Sequence, residues 1–309
     1  MKILITGGAG FIGSNLARHA TAVGHEVTVL DDLSTGYEDN LDGLPVRFIR
    51  GSLTERDVVV EACGDQDSIV HLGALGSVPR SIANPQRTHE VNINGTLNVL
   101  EAAREVGVGH LLFASSSSVY GKNPALPKHE CEWVRPMSPY AVTKLAGEQY
   151  MLAYQQAFGL ETLAFRFFNV YGPGQRPGHA YAAVIPVFLD CLLRDQPLPV
   201  NGDGTQSRDF TYVDTVCSVL LDAVERRVSH DEPVNLAFGT NTNLLELIDK
   251  IAQITGLSPS VLHRDPRAGD VPHSQAANAV LQGLFPQVQP VGLEQGIERT
   301  WEWLKQVTV

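Results

Sequence analysis

The feature that most restricts the fold of this chain is a glycine-rich turn in its opening residues. The apolar run Lys2–Thr6 leads into Gly7-Gly8-Ala9-Gly10-Phe11-Ile12-Gly13, and residues 15–23 then carry helical spacing up to Gly24. Glycines at intervals of three suit a chain that turns tightly from strand to helix while another backbone, or a phosphate, comes close. The start of such a helix offers unpaired N–H groups and a partial positive charge to an anion. A second strand-like run, residues 26–30, is followed at once by Asp31, 18 positions after Gly13. A carboxylate there suits the hydroxyls of an adenosine ribose and disfavours a 2′-phosphate, so the expected ligand is NAD rather than NADP.

Further short apolar runs at residues 48–50, 68–71, 110–114 and 162–167 alternate with helical patterns at 54–62 and 91–106. This alternation predicts an α/β fold built on a doubly wound parallel sheet of Rossmann type. After Tyr171 the pattern changes: residues 172–178 are rich in Gly and Pro, and short helices such as 183–193 alternate with loops. The expected organisation is a nucleotide-binding domain over residues 1–170 with a return segment at 211–238. A smaller mixed α/β lobe is expected from residues 171–210 and 239–309, with ligand between the two at the carboxyl ends of the strands.

Composition narrows the partners. A net charge of −11 speaks against nucleic acid and anionic membranes. No run approaches the ~18 apolar residues of a membrane span. The first residues read as a strand rather than a leader, so a cytoplasmic location is expected. Cys63, Cys131, Cys191 and Cys217 lie far apart and the histidines form no HxxxH pair, so no metal site is expected.

A second constellation lies mid-chain. Ser138 and Pro139 suit the cap and first position of a helix, which places Tyr140 and Lys144 on one face. An ammonium near a phenol favours phenolate, as does a cationic nicotinamide, and phenolate can act as a general base toward a hydroxyl. Taken alone, the pair reads more readily as a surface Tyr–Lys contact, which is common. Ser115, Ser116, Ser117 and Ser118 follow the strand at 110–114. There their hydroxyls can exchange hydrogen bonds with a reacting oxygen, or simply cap the strand.

TGGAGFIGS, the serine-rich strand end, the Tyr140/Lys144 spacing and Phe165-Arg166-Phe167-Phe168-Asn169-Val170-Tyr171-Gly172 occur in one order. In that order and spacing the whole chain resembles the extended short-chain dehydrogenase/reductase family. The resemblance implies Ser116, Tyr140 and Lys144 as the catalytic set. It implies NAD contacts from Gly7, Gly10, Phe11, Ile12 and Gly13 in the turn, and from Asp31, Asp32, Ser34, Thr35 and Gly36 after the second strand. Ser52, Leu53, Leu72, Gly73, Ala74, Asn92, Ser115, Tyr140, Lys144 and Phe167 complete the implied cofactor site. Ser52 stands where the family usually carries Asp, which puts adenine recognition at that edge in doubt.

The same resemblance bears on the reaction. Dehydrating relatives carry an Asp-Glu pair where this chain has Ser117 and Ser118, and decarboxylating relatives carry Glu at the second position. Without these carboxylates the implied chemistry is oxidation and re-reduction at one carbon: C4 epimerisation of a UDP-hexose through a transient 4-keto sugar. Arg208 and Arg267 would pair with the diphosphate, whose oxygens suit guanidinium forks. Asp270 would take ribose hydroxyls; Asn169, Ala183, Val184, Val200 and Asn201 would meet the remainder of UDP. Ser77, Ser116, Ser117, Ser118 and Tyr140 would face the sugar. Segments 74–81 and AGDVPHSQ look most like UDP-N-acetylglucosamine 4-epimerases, and Ser274 leaves room for an N-acetyl group without rejecting UDP-glucose. UDP-glucuronate or UDP-N-acetylglucosaminuronate epimerisation, or another NAD-dependent change to a nucleotide sugar, stays open. Arg80 and Arg176 are the cations left over for a sugar carboxylate. By the same analogy, helices over 91–106 and 140–158 imply a homodimer.

Overall fold

The computed structural model describes residues 1–177, 183–265 and 272–307. Its centre is a sheet of seven parallel strands. They are β1 (Lys2–Thr6), β2 (Glu26–Asp31), β3 (Val46–Arg50), β4 (Ser68–His71), β5 (His110–Ser116), β6 (Glu161–Phe167) and, later in the chain, β11 (Val234–Leu236). The order is β11-β6-β5-β4-β1-β2-β3, so the winding reverses between β1 and β4. The ends of those two strands therefore open a crevice where nucleotides bind in folds of this type. Helices cover both faces, which is why β1, β4 and β5 are continuous apolar runs rather than alternating ones.

Helix α1 (Phe11–Ala22) begins four residues before the start read from spacing, because Gly10 is itself the helix cap. Helices α2 (Arg56–Cys63), α3 (Val78–Ala83) and α4 (Pro85–His89) follow. The helix expected at 91–106 is broken in two: a π-helical turn at Glu90–Asn94 precedes α5 (Gly95–Val106). Helix α6 (Pro139–Phe158) is capped by Ser138, whose hydroxyl accepts from the Ala141 N–H at 3.2 Å. One apolar cluster packs α1 against the sheet together with α8 (Val213–Glu225). A second joins α2, α5 and α6 to the opposite face.

Past β6 the chain forms β7 (Val170–Tyr171), α7 (Val184–Leu193), β8 (Leu198–Asn201), β9 (Ser207–Arg208) and β10 (Thr211–Tyr212). After β11 come β12 (Thr242–Asn243), α9 (Leu244–Thr255), β13 (Val261–Arg264), α10 (Ala279–Leu284) and α11 (Leu293–Val307). Strand β10 pairs with β7, and β11 extends the main sheet beside β6. Helices α7, α9 and α11 and strand β8 share a separate core containing Phe188, Leu247, Ile251, Ile297 and Leu304. Among the described residues no helix is long and apolar enough to cross a membrane.

Candidate active site

A cavity of about 480 Å³ lies at the carboxyl ends of the central strands. The turn after β1 lines it with Gly7, Gly10, Phe11, Ile12 and Gly13; Asp31, Asp32, Ser34 and Thr35 follow from the end of β2. Leu53 after β3, and Leu72, Gly73, Ala74 and Ser77 after β4, continue the wall. Ser115 and Ser116 at the end of β5, Tyr140 and Lys144 of α6, and Phe167 of β6 complete it. Asp31 holds the rim in shape: its carboxylate accepts from the N–H groups of Ala9 (3.0 Å) and Leu33 (2.8 Å). Burial pushes that carboxyl above its ordinary value, and the two N–H bonds work against the rise.

Three residues expected at the cofactor lie off this wall. Asn92 is buried in the π turn, where Oδ1 accepts from the Leu75 N–H (2.8 Å) and Nδ2 donates to Thr143 Oγ1 (3.0 Å). With its amide engaged at both ends, it clamps the loop after β4 to the first turn of α6. Ser52 turns toward the next helix, its hydroxyl 2.9 Å from Thr54 Oγ1, while its neighbours Gly51 and Leu53 face the cavity. Gly36 packs behind Asp31 and Ala9. Conversely, Tyr37, Asn40, Arg80, Gln175 and Arg176 line the cavity without having been singled out as cofactor contacts. Arg176 stacks on Tyr37 at 3.8 Å, a tertiary contact no local pattern announces.

The catalytic candidates meet at one end of this cavity. Gly147 lets α6 lie close to β5: a Cβ there would sit 2.3 Å from the ring of Phe113. Lys144 is buried, its ammonium donating to the Ala114 carbonyl (2.7 Å) and standing 5.9 Å from the centre of the Tyr140 ring. Burial pushes Lys144 down to about 8. Ser116 beside the Tyr140 phenol favours the phenolate, but burial is the larger effect and carries the phenol above its ordinary value. In the protein without its cofactor, desolvation outweighs what favours the phenolate. His71 of β4 sits behind this group, bonded to Thr6 Oγ1 (2.6 Å) and Thr96 Oγ1 (3.0 Å). Burial, with Lys144 nearby, pushes it down to about 3, so it is a neutral strut.

A second cavity of about 450 Å³ adjoins the first, with Val170 and Ala183 in both walls. It gathers Asn169, Val184, Asn201 and Arg208 as expected, and adds Gln206, Phe210 and Arg264. Asn169 takes a left-handed backbone (φ 34°), which Asn tolerates better than most residues, and donates to the Asp209 carbonyl at 3.0 Å. Arg208 donates to the carbonyls of Ser207 (2.9 Å) and Pro272 (3.2 Å). Buried Asp209 fixes this corner by accepting from the N–H groups of Gly239, Thr240 and Ala276. Val200 is fully buried in the core instead, because inward and outward positions alternate along β8. Ser274 donates its N–H to the Ser207 carbonyl (3.0 Å) and is not among the residues lining either cavity. Ser117 and Ser118 form a 3-10 turn off both walls. Arg267 and Asp270 lie outside the described residues.

Comparison with known proteins follows the same lines. Residues 3–237 match the NAD dependent epimerase/dehydratase family. The chain belongs to this family. A UDP-glucose 4-epimerase of Mycolicibacterium smegmatis is 35% identical over 311 residues, 99% of each chain. A UDP-N-acetylglucosamine 4-epimerase of Methanobrevibacter ruminantium M1, solved with UDP-N-acetylmuramic acid, superposes with a TM-score of 0.94. It is 33% identical, with 99% of this chain and 98% of that one covered. A UDP-glucuronic acid 4-epimerase of Bacillus cereus, solved with NAD and a fluorinated UDP-glucuronic acid, has a TM-score of 0.91 and 31% identity over 99% of this chain and 100% of the other.

NAD is the cofactor of this epimerase/dehydratase family member, and its own residues fit that group. The start of α1 has no side-chain cap and no acidic residue in its first turn, so its N–H groups and partial positive charge face the cavity free of competition.

Proposed function

We propose that the protein is an NAD-dependent UDP-sugar 4-epimerase that acts on UDP-N-acetylglucosamine. The observation that carries this reading is that, among the described residues, no carboxylate lines the cavities beside Ser116, Tyr140 and Lys144. Among the described residues, the only acids in the two cavity walls are Asp31 and Asp32. They follow β2, three strand spacings from β5 in the sheet order, or about 14 Å at the usual spacing. Elimination or decarboxylation needs a further acid or base at the sugar; a phenol, a serine and an ammonium serve a reversible oxidation at one carbon.

Bound NAD supplies a hydride acceptor and a positive ring charge. Tyr140 as phenolate takes the proton of the C4 hydroxyl, with Ser116 sharing that hydrogen bond. Lys144 holds the ammonium that favours phenolate. When hydride returns to the opposite face of the 4-keto sugar, Tyr140 gives the proton back. Arg208 and Arg264 in the second cavity hold the UDP end, which leaves the sugar free to turn over between the two faces. Division of the chain into a cofactor lobe and a UDP-sugar lobe follows from this arrangement.

The N-acetylated substrate is supported by small residues, Ala74, Gly76 and Ser77, in the wall of the cavity that Ser116 also lines, and by likeness to the Methanobrevibacter enzyme. The test is turnover of UDP-N-acetylglucosamine, UDP-glucose and UDP-glucuronate by purified protein without added reductant. UDP-N-acetylglucosamine should give the highest kcat/KM. A preference for UDP-glucuronate would replace this reading and point to Arg80, a cation on the same wall.

A homodimer is part of the proposal, supported by exposed apolar side chains on the outward faces of α5 and α6: Val106 (38% exposed), Val142 (51%) and Phe158 (54%). Sedimentation should give twice the chain mass. Val142→Asp with Phe158→Asp should shift it to the monomer, and a wild-type monomer would reject the dimer.

A further inference from the structure

Three successive residues at the end of β5 are each tied to α6. Lys144 Nζ donates to the Ala114 carbonyl, and Ser116 lines the cavity with Tyr140, where it favours the phenolate. The third tie is Ser115, whose hydroxyl donates to Glu148 Oε1. Tyr140, Lys144 and Glu148 stand four residues apart, along one face of the helix. Glu148 is fully buried. It is held by Arg166 of β6, also buried, through two 2.9 Å bonds, Nε to Oε1 and Nη2 to Oε2. Arg166 is fixed in turn: Nη1 donates to the Glu130 carbonyl (3.1 Å) and its guanidinium lies 4.8 Å from the Tyr120 ring centre.

We propose that the Glu148–Arg166 pair is a positioning device of the active site, setting the end of β5 through Ser115 and so the place of Ser116 against the Tyr140 phenol. Stability alone is a weak reason for such a pair, since a buried ion pair is often no more stabilising than apolar side chains of the same size. A two-toothed grip is, however, a directional one. The carboxylate cannot rotate without breaking a bond to Arg166, so the Ser115 hydroxyl meets a fixed acceptor. Ser116 is the next residue, and a hydrogen bond from it to the phenol facing the same cavity weakens steeply with misplacement. The other charged or titratable groups around this centre are Lys144 on the same helix, neutral His71 on β4, and Tyr120 and Glu130 beside Arg166, while Arg80 of α3 lines the same cavity as Tyr140.

The inference rests on Tyr140 being the base, and its test has a readout independent of turnover. Ser115→Ala leaves the ion pair intact, and Glu148→Gln keeps the shape of the acceptor. The phenol is titrated by tyrosinate difference absorbance in the NAD-loaded protein, with Tyr140→Phe as the blank. Both variants should move that titration upward by about one pH unit, a tenfold change. The acid limb of kcat should move with it, at unchanged KM and NAD content, and Ser115→Thr should restore wild-type values. A folded Ser115→Ala protein with a wild-type titration overturns the proposal, whatever its Tm, and decides alone if Glu148→Gln does not fold. If wild-type protein turns over no UDP-sugar, the activity reading fails while the absorbance titration still tests the positioning role.

Discussion

Replacing Tyr140 by phenylalanine is expected to lower kcat by about three orders of magnitude, within the range lost when a positioned acid–base group is removed. KM for the UDP-sugar and bound NAD should stay as in wild type, because the lost proton transfer acts in the transition state rather than in binding. The fold should tolerate the change: the phenol faces the cavity beside Ser116, and helix α6 is capped by Ser138 independently of it. The pH profile sharpens the prediction. Phenolate is the working form and burial raises the phenol, so kcat/KM should fall on the acid side as the phenol takes up its proton. Lys144 must remain an ammonium, and burial places it at about 8, so with the phenol titrating higher the rise in rate should level off as pH passes that value. Lys144→Met should remove the levelling while lowering the rate throughout. A Tyr140→Phe protein with wild-type kcat would remove the base from the scheme and leave the geometry of Ser116 and Lys144 without a purpose.

How much of this was legible in the sequence depends on the range over which each signal acts. The turn after β1, its helix and Asp31 follow one another within the first 31 residues, and spacing alone sufficed to place them around one cavity. Tyr140 and Lys144 share a helix whose Ser-Pro start is a local signal. What spacing could not supply were contacts between distant segments. Asn92 belongs to the right region, yet a π turn aims its amide at Leu75 and Thr143 rather than at the cavity. Glu148 and Arg166 read as ordinary charges on a helix and a strand until β6 is laid beside β5. Arg264 reaches the second cavity because β13 pairs with β8 across 60 residues of chain. Ser274 and Val200 show the converse: a motif gives the neighbourhood of a residue, while strand pairing and alternation decide which way it faces.

The largest effect on cofactor binding is expected from Gly13→Ala. A Cβ at Gly13 would lie 2.3 Å from the Gly7 carbonyl oxygen and 2.6 Å from the Gly8 Cα. Both obstacles are backbone, so no side-chain rotation relieves them; either the turn after β1 opens or α1 moves outward. Neither is local. Gly7 takes φ 69°, and its N–H donates to the Leu30 carbonyl of β2 (2.8 Å). Ala9 is held by Asp31 through its N–H and by Tyr37, whose N–H donates to the Ala9 carbonyl at 3.0 Å. Shifting the turn therefore disturbs the start of α1 and Asp31 together, the two parts of the cavity proposed to hold the pyrophosphate and the adenosine ribose. NAD affinity should fall at least about 100-fold, or ~2.7 kcal/mol, with protein purified free of NAD and inactive until cofactor is added in excess. Gly283→Ala is the matched control: that glycine lies in α10 with nothing within 4 Å of a new Cβ, so the same substitution should leave NAD binding unchanged. Calorimetric titration of both variants with NAD separates the outcomes. Wild-type affinity in Gly13→Ala would mean that the turn does not hold the pyrophosphate, and the cofactor would have to be seated elsewhere in the cavity.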